Sequence, residues 1–312
     1  IKRWKFVEVE KLLKSKFRDR FFNNLSFKKV TTFKIGGKIR YFVYVLNEKE
    51  LVFLLKFCKK KKMNYLIIGG GSNVLASDGC FDGVVISTLN MTKIKFLKNN
   101  IVECMSGVRL SNLIYQCMKK ECGGLEWAIG IPGTIGGACV MNAGAFGGQI
   151  SDFVVSVKCF NGNKIENVNG EQLQIAYRDS FFKKHKNYVI LSVKLQLFPE
   201  KSGKILQNVQ NCIQKRKSLQ SVGFPSAGSV FKRSPDVLPA ALIDNLGLKG
   251  FRIGDAMVSD VHSGYIVNLS NATCKDVLKL IDFISNSVYN RFNRKLELEI
   301  IVIGDNDGEL SG

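Results

Sequence analysis

Two glycine-rich segments carry the first chemical signal. Gly69-Gly70-Gly71-Ser72-Asn73 follows an apolar run, and Gly130-Ile131-Pro132-Gly133-Thr134-Ile135-Gly136-Gly137 continues into Asn142-Ala143-Gly144-Ala145. Glycine lets backbone N–H groups approach a phosphate with no side chain in the way, and permits the positive φ that such loops need. Two such loops predict a dinucleotide-sized ligand. The first lacks the third glycine of G-x-G-x-x-G and the acidic residue that would hold a ribose, and no G-x-x-x-x-G-K-[ST] occurs. That excludes the Rossmann and Walker readings. A flexible turn is the plain alternative for either loop taken alone.

Three polar islands could do chemistry. In Tyr177-Arg178-Asp179-Ser180 an arginine fork could clamp a carboxylate, the alternative being a surface Arg178 paired with Asp179. In Pro225-Ser226-Ala227-Gly228-Ser229-Val230-Phe231-Lys232, small residues leave the Ser229 hydroxyl reachable, and Lys232 adds a charge suited to phosphate. No G-x-S-x-G elbow is present, which weakens a hydrolase nucleophile; a turn or capping serine is the alternative. In Leu296-Glu297-Leu298-Glu299-Ile300, strand spacing puts Glu297 and Glu299 on one face, which could equally be a solvated acidic face. His262 suits a structural or a ligand-lining role, and His185, among lysines, is expected to be exposed.

The elements that must position these residues follow from periodicity. Residues 39–45 read as a strand, Leu51, Leu54, Leu55 and Cys58 recur at helical spacing, and Tyr65-Leu66-Ile67-Ile68 is a strand running into the first glycine loop. This is a β-α-β unit ending in a phosphate-type loop. Short strands are expected at 84–87, 94–97, 101–105 and 153–160, with a helix over 110–121 stopping at Gly123-Gly124. Over 188–197, Val189, Leu191, Val193, Leu195 and Leu197 alternate strictly. Residues 199–204 read as a linker, followed by a helix at 205–219, a loop around Pro225 and a short helix near Leu242. A longer helix opens at Thr273-Cys274-Lys275-Asp276, a capping sequence, and a strand over 296–303 comes last.

Composition bounds the function class. With 312 residues and 46% hydrophobic content the chain can bury more than one core, and two or three domains are expected. The formal charge of +20 suits nucleic acid, an anionic membrane surface or a polyanionic small substrate. No RNA-recognition motif, zinc-finger spacing or arginine-rich arm accompanies it, and the Lys59-Lys60-Lys61-Lys62 run reads as a solvated helix end. Nine cysteines without a C-x-x-C pair, with only two histidines, argue against structural zinc or a disulfide framework and fit a reducing cytosol. The first twenty residues lack the apolar core of a signal peptide. Residues 127–151 carry no charge, but their glycines, Pro132 and Asn142 make a poor membrane span, so they read as buried loop and cofactor-facing backbone.

Taken together, these residues resemble the bacterial UDP-N-acetylenolpyruvoylglucosamine reductases, the MurB family. The resemblance runs from Thr31-Thr32-Phe33-Lys34-Ile35-Gly36-Gly37 through GGGSN, GIPGTIGG, NAGA, YRDS, PSAGSVFK and Gly247-Leu248-Lys249-Gly250 to LELE, in family order. It implies an α+β chain: an amino-terminal extension (1–30), a vanillyl-alcohol-oxidase/PCMH-type FAD-binding domain (31–200) with two subdomains, and a smaller α+β substrate-binding domain (201–312). It implies non-covalent FAD held by Gly69, Gly70, Gly71, Ser72, Asn73, Gly130, Thr134, Gly136 and Gly137, with NADPH as hydride donor. Flavin N5 would then deliver hydride to the vinyl carbon of UDP-N-acetylglucosamine enolpyruvate. Arg178 and Glu299 match the family's residues that stabilise the resulting carbanion, and Ser229 matches its proton donor. Tyr177 and Lys232 match substrate-binding positions, Lys232 meeting the diphosphate.

The short interval between Arg178 and Tyr188 looks like the family's second type, which lacks a long tyrosine-bearing loop. Arg233-Ser234 stands where the family commonly has Asn-Pro, Asp255 where it has glycine, and Val261 where it has lysine. A monomer in the cytoplasm, with no nucleic-acid or membrane partner, is the expectation. Two rivals remain at this point: another FAD oxidase or dehydrogenase, which the PSAGSVFK and LELE segments disfavour, and a basic nucleic-acid-binding protein, which would be colourless and salt-sensitive.

Overall fold

The structure is a computed structural model that describes residues 2–173, 179–220, 223–234 and 236–304. It divides into two compact units: the described residues up to Asn24 with Arg40–Gly70 and Gly83–Gln214, and Leu25–Ile39 with Gly71–Asp82 and the described residues from Lys215 onward.

The first unit begins with α1 (Lys2–Phe17), whose Val9, Leu13 and Phe17 recur every fourth residue and are buried. The amino-terminal segment thus supplies core rather than trailing from it. In α2 (Glu48–Lys61) the Asn47 side chain caps the start by accepting from the Glu50 N–H, and Leu51, Leu54, Leu55 and Cys58 form the buried face that the spacing predicts. Its last-turn lysines face the carbonyl end of the helix dipole, as the sequence reading has it. A four-stranded sheet runs in the order Phe21–Ser26, Lys38–Tyr44, Phe81–Ser87, Asn64–Ile68, so Phe81–Ser87 inserts between the two strands of the expected β-α-β unit.

A five-stranded antiparallel sheet follows, in the order Ile165–Asn169, Val154–Phe160, Val189–Gln196, Ile101–Met105, Ile94–Phe96. Here the alternation at 189–197 needs correction. Lys158 faces Ser192 but Cys159 faces Ile190, so Leu191 is an extra residue in a bulge. A bulge reverses which side of the sheet later residues face. Val189 and Leu191 therefore join the core around α1 and α2, whereas Val193 and Leu195 join the core under α3 (Leu110–Lys119). That helix buries Leu110, Leu113, Ile114 and Cys117 as expected; it ends at Lys119, and Glu121, two residues beyond, takes positive φ ahead of Cys122 and the glycine pair. The remaining helices of this unit are the short α4 (Ile135–Met141) and α5 (Phe181–Lys184), then α6 (Ser202–Leu219), which runs on into the second unit. The expected linker at 199–204 is not free: Phe198–Pro199 pairs with Cys122–Gly123, and the Glu200 N–H donates to the Glu121 carbonyl.

The second unit has an antiparallel sheet in the order Ser226–Ser229, Tyr265–Asn268, Ala256–Val258, Arg252–Ile253, and a parallel pair of Ile301–Ile303 with Val74–Ala76. The helices α7 (Pro239–Asn245) and α8 (Cys274–Phe292) complete it, the latter opened by the reciprocal Thr273/Asp276 box that its sequence predicts. Phe33, Ile35 and Leu75 share one core with Val277, Leu280 and Ile284 of α8. The strand expected over 296–303 is shorter than predicted. Its ladder spans only Ile301–Ile303, and Leu298 makes an isolated bridge to Phe231.

Seven of the nine cysteines are buried and all are free thiols. Burial pushes Cys58, Cys117 and Cys139 up to about 12, so these side chains act as small apolar groups.

Candidate active site

In the first unit, the glycines that open the first loop are needed for packing. A Cβ on Gly69 would collide with Thr134 Oγ1, and one on Gly70 would lie 2.7 Å from the Pro132 carbonyl oxygen. The absent side chains let this loop lie against the second glycine segment. In the second unit, Gly71 takes a φ of +61° and accepts from the Thr32 N–H at 3.0 Å. Among the described residues, the N–H groups of Gly69, Gly70, Gly71 and Ser72 donate to no other group. Such free donors, with no Cβ shielding the glycines, fit the acceptor oxygens of a diphosphate. Asn73 is engaged otherwise: its Nδ2 donates to the Glu299 carbonyl at 3.0 Å and its own carbonyl accepts from the Ile301 N–H at 2.9 Å.

The second glycine segment is built differently. Thr134 caps α4 by accepting from the Gly137 N–H, while the Ile135 and Gly136 N–H groups donate to the Val108 and Ser106 carbonyls, each at 2.9 Å. A Cβ on Gly136 would lie 2.8 Å from that of Ser106. Donors at this helix start are therefore already occupied, and its glycines serve close backbone packing. Gly130 and Gly137 are the exposed members.

Ser229 sits on a bulge. Ser226 faces Val267 and Ser229 faces Tyr265, so three steps along one strand oppose two along its neighbour. Gly228 absorbs the irregularity at φ +80°, where a Cβ would meet nothing; the backbone angle, not space, requires glycine there. The next residues are stitched on both sides. The Val230 N–H donates to the Gly264 carbonyl at 3.0 Å, the Val230 carbonyl accepts from the Glu299 N–H at 2.8 Å, and the Lys232 N–H donates to the Glu297 carbonyl at 2.8 Å. This stitching brings Glu299 beside the Ser229 strand; the shared strand face expected for Glu297 and Glu299 does not form, because the ladder begins only at Ile301, and Glu297 is exposed while Glu299 is half-buried. Lys232 Nζ lies 3.2 Å from the exposed Glu297 carboxylate.

Tyr265, which the sequence reading passed over, joins this group. Burial pushes its phenol above the ordinary range; the Arg216 charge and the Ser229 side chain oppose that, and the Glu299 charge reinforces it. The signal that could have found it was the apolar strand Tyr265–Asn268 after a Ser-Gly turn. Thr32 was also missed, and its Oγ1 donates to the Ser226 carbonyl at 2.7 Å.

Other sequence candidates fall elsewhere. Tyr177 and Arg178 lie outside the described residues. The Asp179 carboxylate beside them pairs with Lys184 at 3.0 Å. His185 is exposed and stacks on Phe181. His262 is half-buried, and its Nδ1 accepts from the Gly264 N–H at 3.0 Å; burial holds its pKa below the ordinary value. Asp255 has a structural use, its carboxylate accepting from the Asn271 N–H at 2.9 Å. Nothing in the structure explains Val261, which is exposed.

Comparison with known proteins identifies the family. Residues 220–303 match the model of the UDP-N-acetylenolpyruvoylglucosamine reductase C-terminal domain, and residues 39–164 match an FAD binding domain. The chain is 38% identical over 302 residues to the UDP-N-acetylenolpyruvoylglucosamine reductase of Caldicellulosiruptor bescii, covering 96% of this chain and 95% of that one. It is 36% identical over 301 residues to that of Clostridium novyi, covering 96% and 97%. The crystal structure of the Thermus caldophilus reductase superposes with a TM-score of 0.76 at 31% identity, covering 89% of this chain and 97% of that one. The fold is the α+β, PCMH-type flavin-binding arrangement with a second α+β region that the sequence implies. With this identity over nearly its whole length, the chain belongs to the UDP-N-acetylenolpyruvoylglucosamine reductase family.

Proposed function

We propose that this protein is the NADPH-dependent, FAD-containing reductase that converts UDP-N-acetylglucosamine enolpyruvate to UDP-N-acetylmuramate in peptidoglycan precursor synthesis. The observation that carries the reading is the Ser229 hydroxyl on the Gly228 bulge with Glu299 stitched beside it, inside the segment matching the family's C-terminal domain. When bound, the flavin supplies to the vinyl carbon the hydride that NADPH gave it. The free N–H groups of Gly69, Gly70, Gly71 and Ser72 hold the flavin diphosphate, and Asn73 orients that loop through the Glu299 carbonyl. Gly130, Thr134, Gly136 and Gly137 shape the second loop of the cofactor site.

Hydride addition leaves an electron pair on the substrate carbon that bears the ether oxygen, conjugated with the carboxylate. Arg178 offers forked donors to that carboxylate, and Glu299 in its protonated form offers one more. The Ser229 Oγ–H bond then breaks as the C–H bond forms, its electron pair staying on Oγ; general acid catalysis of this kind contributes typically ~10²–10⁴-fold. Lys232 exchanges its weak, exposed pairing with Glu297 for the substrate diphosphate, and Tyr177 completes the substrate-binding set. We assign the reaction to a monomer, by family resemblance, and to a reducing cytoplasm, the latter supported by the buried free thiols. Among the described residues no helix is long and apolar enough to cross a membrane.

The test is the visible spectrum of the purified protein during anaerobic NADPH reduction, followed by addition of the enolpyruvyl sugar nucleotide. A flavin band that bleaches and then returns is expected. A band that stays bleached would remove the substrate from the reading. Ser229→Ala should bleach normally and fail to recover, and equal loss of both half-reactions would count against the serine assignment.

A further inference from the structure

We propose that Thr32 is a positioning residue for Ser229: its hydroxyl ties the strand that carries the serine to the first glycine loop, so that the Ser229 oxygen keeps one aim toward substrate. This role rests on the assignment of Ser229 as proton donor and deepens it.

Thr32 touches the two segments with separate groups. Its N–H donates to the Gly71 carbonyl at 3.0 Å, and its Oγ1 lies 2.7 Å from the Ser226 carbonyl oxygen and 3.5 Å from that of Gly71. A hydroxyl has one proton, and 2.7 Å is an ordinary O–H···O length, so that proton goes to Ser226 while the backbone N–H serves Gly71. The residue is itself fixed on both sides. The Thr31 N–H and Oγ1 before it both donate to the Phe27 carbonyl at 3.0 Å, and the buried Asn268 gives its Nδ2 to the Phe33 carbonyl after it at 3.2 Å. The Asn268 N–H donates to the Pro225 carbonyl at 2.9 Å, so a second tie joins the same two stretches of chain.

The Ser229 strand needs such a tie because its ladder is interrupted where it matters. Pairing with Tyr265–Asn268 is in place at Ser226 and at Ser229 but shifts register between them, and in that interval Gly228 stands at φ +80°, where a Cβ would meet nothing. Glycine is the residue least restrained by its own backbone, so the bulge is only as rigid as its two ends. Beyond the serine, Val230 is bonded through both peptide groups, its N–H to the Gly264 carbonyl at 3.0 Å and its carbonyl from the Glu299 N–H at 2.8 Å. Before the serine, the Ser226 carbonyl is held by Thr32. Without the hydroxyl that end is released, and any rotation of the peptides about Gly228 turns the Ser229 side chain with them. A misplacement of about 1 Å near a reacting atom can cost roughly 10²-fold in rate. Through its own N–H, Thr32 also refers the serine to Gly71, in the loop whose free N–H groups suit the flavin diphosphate.

The test uses the flavin-loaded enzyme. Thr32→Val keeps the side-chain shape and the N–H to Gly71 and removes only the hydroxyl. In anaerobic stopped flow this variant should be reduced by NADPH at the wild-type rate, while its limiting rate of reoxidation by the enolpyruvyl sugar nucleotide falls roughly 5–100-fold, the range for leaving a partly buried carbonyl unpaired. Thr32→Ser, which restores the hydroxyl, should recover most of that loss. In the Ser229→Ala background, Thr32→Val should add no further slowing. Equal slowing of both half-reactions, additive losses with Ser229→Ala, or wild-type reoxidation in Thr32→Val would overturn the inference while leaving Ser229 in place. A wild-type rate in Ser229→Ala alone would remove the underlying assignment and this inference with it. A readout independent of turnover is amide hydrogen exchange: residues 226–230 should exchange faster in Thr32→Val than in wild type or Thr32→Ser, with α8 of the same unit unchanged. Exchange at 226–230 that does not move, or that rises together with α8, would deny the tie.

Discussion

Glu50 illustrates what a single residue can do that its sequence neighbourhood does not announce. Its carboxylate accepts from Arg20 Nη1 at 2.6 Å, from Arg20 Nη2 at 3.0 Å and from the Leu46 N–H at 2.9 Å. Burial alone would raise its pKa, but the bonds from Arg20 and Leu46 outweigh burial and hold it below the ordinary value. A carboxyl depressed in the folded state contributes stability that is complete above its unfolded value, about pH 4.3, and is lost as pH falls through the folded value. Glu50→Gln should therefore lower the melting temperature at pH 7 and narrow the gap from wild type as pH falls from about 5 toward 3. A constant gap across that range would refute it. Arg20 and Glu50 lie thirty positions apart, and no local pattern links them. Ser229 contrasts with this pair, since its setting was legible in PSAGSVFK, whereas its cross-strand neighbour Tyr265 became visible only through strand register.

At the scale of elements, α8 shows both kinds of information at one helix end. The Thr273/Asp276 box is a local device, and its spacing alone identified it. Asp78 is not local: its carboxylate accepts from the Cys274 N–H at 2.8 Å and the Lys275 N–H at 3.1 Å, supplying two more partners to the free donors of the first turn. Asp78→Ala should cost about 0.5–2 kcal/mol in chemical denaturation, the range for losing a capping side chain. A change within measurement error would mean that water replaces the carboxylate at no cost. The strand Val189–Gln196 teaches the converse lesson. Its alternation identified a strand, but the extra residue at Leu191 divides its apolar side chains between two cores, and only pairing with Val154–Phe160 reveals that.

For the whole molecule, the informative fact is how each unit is assembled from the chain. The second unit combines Leu25–Ile39 and Gly71–Asp82 with the described residues from Lys215 onward, so its core includes Phe33, Ile35 and Leu75. The strand Ile301–Ile303 has its parallel partner in Val74–Ala76. A fragment comprising residues 201–312, cut at the linker that composition suggests, would lack these side chains, that partner strand and the Asp78 cap. Expressed alone it should show no cooperative thermal transition by circular dichroism. A sharp two-state melt would mean that the carboxyl-terminal elements suffice for a core. Removal of even one large core side chain commonly costs 2–5 kcal/mol, and the fragment lacks three.

The sequence by itself determined the things that short-range chemistry decides. Helical faces at Leu51, Leu54, Leu55 and Cys58, the capping box of α8 and the two glycine segments depend on neighbours a few residues away, so spacing sufficed. Motif order identified the family and with it the flavin chemistry. Tertiary structure alone decided which free N–H groups the glycine loops retain and which are already bonded, because the partners at Ser106 and Val108 lie some thirty residues from α4. It alone placed Tyr265 opposite Ser229, since a one-residue bulge at Gly228 sets that register. Non-local hydrogen bonding and strand register depend on which distant segments come to share a sheet, and that is settled by burial of the whole core rather than by any local pattern.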